Sequence, residues 1–180
     1  MSDELRAILV LLCAVNPAAV ALAANGRIDG RQMASITGVT AIGLVLVAAA
    51  VSSGVLELLG TTEPSFELAA GVVMLGVGLG ALVWPGPNRA FAGGWQDGIF
   101  PLAFPIVFNP AVAVGVVHYG ASDGVFAGVS LATVGVIAAV GSAWFAGERW
   151  PRAMEAIARM TAAALVVLAV GLVVESVKSV

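Results

Sequence analysis

The chain has 180 residues, of which 60% are hydrophobic and 11% are charged, and its formal net charge is −3. A soluble domain is typically about 25% charged, so a soluble globular enzyme and a disordered chain are both excluded. The single cysteine excludes an internal disulfide, and the slightly acidic balance offers no basic surface for nucleic acid.

Six apolar stretches are long enough to cross a bilayer, which requires about 20 residues per helix. They are predicted at 6–25, 33–57, 67–85, 99–119, 124–146 and 156–176. The N-terminus carries Asp3 and Glu4 rather than the basic start of a cleaved signal peptide, so the first stretch is expected to remain as a span. The prediction is an all-α protein in which residues 1–180 form a single transmembrane domain.

The first span contains a tripeptide that returns in the fourth span. Asn16-Pro17-Ala18 recurs as Asn109-Pro110-Ala111, at an offset of 93 residues. The same offset aligns spans 2 and 3 with spans 5 and 6. Because each half then holds three spans, the second half must enter the membrane from the opposite side. We therefore predict a 3+3 inverted-topology repeat, with halves at about 1–86 and about 94–180.

Each Asn-Pro pair is predicted to interrupt its span near the middle of the membrane. Proline lacks the backbone N–H that a helix interior needs, asparagine is a good N-cap, and proline suits the first position of a helix. Two helix N-termini meeting at the midplane would favour an anionic or dipolar ligand. Asn16, Pro17, Asn109 and Pro110 are therefore predicted to form a solute site. The alternative is a pair of plain proline kinks whose freed backbone groups are capped by the asparagine amides.

Spans 2 and 5 carry hydroxyl side chains that could line the same cavity. The residues are Thr37, Thr40, Ser130 and Thr133, paired at the offset of 93. Within each span they are three residues apart and share a helix face. The alternative is that each hydroxyl bonds a carbonyl of its own helix.

The predicted span centres contain no Asp, Glu, Lys or Arg. The only histidine, His118, lies at the end of span 4, where we expect an interfacial residue rather than a proton carrier. No nucleophile–base pair, metal-ligand cluster or phosphate loop is recognisable. The chain is therefore not expected to be an enzyme, and no metal or cofactor is expected.

Basic residues predict the orientation in the membrane. One side carries two of them and the other carries six. The first set is Arg6 and Lys178; the second is Arg27, Arg31, Arg89, Arg149, Arg152 and Arg159. Because cytoplasmic loops hold the excess of Lys and Arg, both termini are expected to be extracytoplasmic.

Several motifs resemble the MarC family of six-span bacterial inner-membrane proteins, within the LysE-like transporter group. They are Asn16-Pro17 in span 1, the proline-bounded stretch 64–85, Pro101-Leu102-Ala103 with Pro105 in span 4, and residues 155–160 leading into span 6. The family usually has Gly-Pro-Gly where this chain has Asn109-Pro110-Ala111. The resemblance implies a bacterial inner-membrane location and, through the superfamily, small-solute export.

The leading hypothesis is a small-solute transporter or exporter that works by alternating access. Its expected partners are the lipid bilayer and an unidentified small solute, and homo-oligomerisation is left open. A passive channel for neutral or anionic solutes and a non-transport membrane scaffold are the alternatives.

Overall fold

The computed structural model describes residues 3–24, 30–84, 95–145 and 150–179. Within these ranges the secondary structure is helical. The helices are α1 (Asp3–Val15), α2 (Pro17–Ala24), α3 (Gly30–Ala50), α4 (Ser52–Leu59), α5 (Glu63–Val83), the π-helical segment π1 (Gly98–Val107), α6 (Pro110–Ser122), α7 (Val125–Phe145) and α8 (Pro151–Ser179).

The prediction of several apolar, membrane-length helices is confirmed. Five helical stretches are long and apolar enough to span a membrane, and π1 with α6 makes a sixth if this bent pair is one span. The five are Leu5–Ala24, Gln32–Ala50, Glu63–Val83, Val125–Trp144 and Pro151–Ser179. The architecture is that of a multi-pass membrane protein. Arg27, Arg89 and Arg149, which entered the orientation argument, lie outside the described residues.

Two helix bounds differ from the predicted spans. The predicted span 33–57 is divided, because α3 ends at Ala50 and α4 begins at Ser52 after a turn at Val51. The last helix is longer than predicted and runs from Pro151 to Ser179. A hydropathy pattern identifies only the apolar middle of such a helix, so the polar residues at its two ends were not included in the predicted span.

The first span lies at the centre of the bundle. Its apolar window is 67% buried, against 39% or less for the other four long stretches. The outer helices instead expose large apolar side chains, such as Val39 on α3, Val72 on α5 and Val167 on α8. An apolar face of this kind is what lipid requires of a spanning helix.

Helices α5 and α8 pack closely because α5 has glycines at the contact. A Cβ on Gly71 would lie 2.8 Å from the Val173 side chain, and one on Gly78 would lie 2.9 Å from the Val166 side chain. Small residues let membrane helices approach in this way. The beginning of α1 and the end of α8 are also joined, by an ion pair between Arg6 and Glu175.

Candidate functional site

Asn16 separates two helices within the first span. Helix α1 ends at Val15 and α2 begins at Pro17, with Asn16 between them at a φ of 50°. This left-handed conformation is one that asparagine tolerates better than most residues. Because Pro17 has no N–H, the Cys13 carbonyl has no helical donor at that position. The Asn16 side chain then caps the new helix, since its Oδ1 accepts a hydrogen bond from the Ala19 N–H at 3.2 Å.

The Asn16 amide also connects the interruption to the last helix. Its Nδ2 donates to the Ala158 carbonyl at 3.0 Å. The Thr161 hydroxyl lies within hydrogen-bond distance of the Asn16 Oδ1, at 3.0 Å, and of the Ile157 carbonyl, at 2.7 Å. Both partners lie on α8. Thr161 was not predicted as a site residue, because its counterpart at the offset of 93 is Leu68 and the repeat gave no signal there.

Asn109 occupies the equivalent place before α6. Its Oδ1 accepts from the backbone N–H groups of Ala111 at 2.9 Å and Val112 at 3.1 Å, and its carbonyl accepts from Ala113 at 3.0 Å. Pro110 has no N–H. The first turn of α6 is therefore capped by one residue, and these three N–H groups already have an acceptor.

The segment before Asn109 departs from helical geometry at two places. Phe100 and Phe104 have extended backbone angles, and each precedes a proline, Pro101 or Pro105. A residue before proline is displaced from the α region by contact with the proline ring. Phe108 and Asn109, which lie between π1 and α6, are also non-helical, and the two elements meet at an angle of 65°.

One hydrogen bond joins the two asparagine positions. The Asn109 Nδ2 donates to the Ala14 carbonyl at 2.7 Å. In an uninterrupted helix that carbonyl would accept from residue 18. A buried carbonyl without a donor is costly, and more so where water is absent. The fourth span therefore supplies a donor to a carbonyl next to the interruption in the first span.

Both asparagines line one pocket of about 190 Å³, which we call the asparagine pocket. Its volume is below the range of about 300–1,000 Å³ typical of sites for drug-sized ligands. Most of the wall is apolar. The lining residues are Cys13, Ala14, Val15, Asn16, Ala19, Val77, Ala81, Trp84, Ile106, Asn109, Ala162 and Leu165.

The pocket extends along the last two turns of α5 toward an exposed tryptophan. Val77, Ala81 and Trp84 follow each other on one helix face, over about 10 Å at 1.5 Å per residue. Trp84 is 68% exposed. We call this end the Trp84 side.

The asparagine pocket carries no charged side chain among its lining residues. Its polar side-chain groups are the two amides, the Cys13 thiol and the Trp84 indole N–H. The amide nitrogen of Asn16 carries two N–H donors, and one of them donates to the Ala158 carbonyl in the described contacts. Elsewhere in the described ranges, no group of three or more His, Cys, Asp and Glu side chains could hold a metal ion.

The hydroxyl residues predicted for the cavity are not among the residues that line this pocket. Thr37 is buried and its hydroxyl lies within hydrogen-bond distance of the carbonyls of Met33 and Gly98, at 2.8 and 2.9 Å. Ser130 is exposed and donates to Ala127 of its own helix. Thr40 and Thr133 are half-buried.

The two prolines and the histidine also lie outside the lining of the asparagine pocket. Pro17 and Pro110 begin α2 and α6 but do not line the asparagine pocket. His118 is buried within the protein, with 8% of its surface exposed. The structure therefore brings Asn16 and Asn109 to one pocket, and the other predicted site residues do not line it.

Comparison with protein families, with curated proteins and with solved structures yields no match to this chain.

Proposed function

We propose that the chain is a small-solute transporter or exporter of the bacterial inner membrane, and that the solute binds in the asparagine pocket. The observation that carries the proposal is that two asparagine-capped helix starts line one pocket. Secondary transporters bind their substrates between such interrupted helices. The resemblance to the MarC family supports the same reading.

The depth of Asn16 supports a site within the membrane. Eleven residues separate it from the start of the span Leu5–Ala24 and eight from its end. These correspond to about 16 Å and about 12 Å of helix. Non-helical backbone at this depth is tolerated only where it is buried in protein or lines a cavity.

We infer six crossings from the ion pair between Arg6 and Glu175. These residues lie near the two ends of the chain, so both ends are on the same side of the membrane. The number of crossings is therefore even. The bent pair of π1 and α6 then counts as one span.

The contact between α5 and α8 supports an inverted repeat. Gly71 faces Val173 and Gly78 faces Val166, so the two helices run antiparallel. Between these contacts, residues 75–76 lie opposite residues 168–169. The offset of 93 relates the same two pairs, because it takes 75 to 168 and 76 to 169. A pseudo-two-fold axis through this point would exchange α5 and α8. In the proposed architecture the same axis relates Asn16 to Asn109.

The hydrogen bonds favour a dipolar solute over an anion. The α6 N–H groups that would bind an anion already bond to Asn109. The lining contains no cation to pair with a buried negative charge, whose burial would be costly. A small neutral or zwitterionic molecule with an acceptor for the second Asn16 N–H fits this pocket better.

The contacts on the side of the pocket away from Trp84 favour a carrier over the passive channel, because they close the pocket on that side. Leu11 and Met74 are fully buried, and both lie against Gly115. We call these three residues the closed layer. Along α1 and α5, Leu11 and Met74 lie two and three residues beyond Cys13 and Val77, away from the Trp84 side. By the charge rule the Trp84 side is cytoplasmic, and both termini are extracytoplasmic.

Flux through reconstituted liposomes tests the proposal. The probes are labelled urea, glycerol and neutral amino acids, which are small dipolar solutes. We expect saturable uptake of at least one probe, and its loss in Asn16→Ala and Asn109→Ala. Ser130→Ala is the matched control, because this exposed hydroxyl bonds only its own helix in the described contacts.

Cys13 gives a readout that needs no solute. It is the only cysteine of the chain and lines the asparagine pocket. A membrane-impermeant methanethiosulfonate should modify it from the Trp84 side. Uptake that does not saturate would favour the channel. No uptake together with an unreactive Cys13 would refute transport and favour the scaffold.

A further inference from the structure

His118 is buried in α6, and its side chain has no described hydrogen-bond partner. It lies eight residues after Pro110, about 12 Å along the helix. Its Nδ1 atom is buried and has no hydrogen-bond partner in the part of the chain that the structure describes. Buried polar atoms in native proteins are almost always paired, so an unpaired one calls for an explanation.

His118 lies beyond the closed layer as seen from the asparagine pocket. Gly115 is one turn earlier on the same face of α6. A Cβ on Gly115 would lie 2.8 Å from the Leu11 side chain and 2.9 Å from that of Met74. The imidazole is therefore separated from the pocket by one apolar layer, on the side where Arg6 and Glu175 pair.

The charges around His118 are mostly negative. Those that act on it electrostatically are Glu63 and Glu67 on α5, Asp123 after α6, and Arg6 on α1. Helix α4, which packs on α6, carries Glu57, but this exposed side chain is not among the charges that act on His118, and Tyr119 is the adjoining ring at 4.8 Å. The described side chains of α3 and α7, which also pack on α6, include no titratable group. Burial disfavours the charged form of the imidazole in this conformation, and the three nearby carboxylates oppose that effect only in part.

We propose that His118 is a proton-binding site that couples proton uptake to opening of the closed layer. In the present conformation Nδ1 has no access to bulk water. When Leu11 and Met74 separate from Gly115, Nδ1 becomes accessible to water on the Arg6 side, and the ring takes up a proton from hydronium in the bulk solvent. The imidazole becomes an imidazolium, and the nearby carboxylates offset its charge. This inference rests on the proposed function, because it assumes a second conformation that opens on the Arg6 side.

Nuclear magnetic resonance of the histidine ring tests the site directly, because the chain contains only one histidine. The wild-type protein, labelled with ¹⁵N-histidine, is placed in lipid nanodiscs and titrated from about pH 5 to about pH 8, where histidine ordinarily changes charge. We expect the ring nitrogens to titrate in this range, and the midpoint to fall in Glu67→Gln. A ring that keeps one protonation state throughout overturns the proposal. This measurement needs no substitution of His118.

Two-sided modification of Cys13 tests the coupling. The ratio of modification rates from the two sides cancels the pH dependence of thiol chemistry itself. We expect acidification to shift this ratio toward the Arg6 side, because the imidazolium is better hydrated in the conformation that opens on that side. The shift should disappear in His118→Gln, and in His118→Asn if the first variant does not fold.

The two proposals fail in different ways. A pH-dependent ratio that survives in His118→Gln overturns the role of His118 and leaves transport intact. If Cys13 reacts from neither side at any pH, the transport function fails, and a titrating His118 would not rescue the coupling.

Discussion

Asn109 performs two tasks with one amide, and replacing it with alanine removes both. The Ala111 and Val112 N–H groups lose their cap, which costs about 0.5–2 kcal/mol. The Ala14 carbonyl loses its donor, and an unsatisfied buried carbonyl costs about 1–3 kcal/mol. We therefore expect Asn109→Ala to lower the free energy of unfolding by about 1.5–5 kcal/mol.

Asn109→Ser separates the two contributions. Serine retains a capping oxygen but has no amide to reach Ala14, so the loss should be about 1–3 kcal/mol. The assay is reversible unfolding in mixed detergent micelles. Ser130→Ala is the control and should change the free energy by less than about 0.5 kcal/mol. If Asn109→Ala proves as stable as this control, the hydrogen bond between the two spans does not contribute as described.

Three further predictions concern packing, charge and access. Gly78→Ala should destabilise the protein by about 1–3 kcal/mol, because its Cβ would meet Val166 and the Ala162 carbonyl. Gly76→Ala, whose Cβ has open space, should instead stabilise the protein by up to about 1 kcal/mol. If the two variants change the free energy of unfolding equally, the α5–α8 contact is contradicted. A double-mutant cycle with Arg6→Gln and Glu175→Gln should give a coupling of less than about 1 kcal/mol that falls with salt, because the Glu175 side chain is 56% exposed. Trp84→Ala should accelerate Cys13 modification from the Trp84 side only; an unchanged rate would show that Trp84 does not obstruct the pocket.

Hydropathy alone was sufficient to predict an all-helical, multi-pass protein. Polar backbone groups are costly to expose to lipid, and a helix satisfies them within each apolar stretch. The helix starts at Pro17 and Pro110 follow equally local rules. A proline without a donor ends one helix, and the preceding asparagine caps the next.

Tertiary packing decided which side chains meet. The pairing of Asn109 with Ala14, the contact of Asn16 with Thr161 and the burial of His118 all join residues from different spans. The spacing that groups Thr37 with Thr40 and Ser130 with Thr133 defines a helix face, but not the neighbour that this face contacts. A membrane helix can rotate about its own axis with little change in local energy, so only its packing against other helices selects the side chains that reach the pocket.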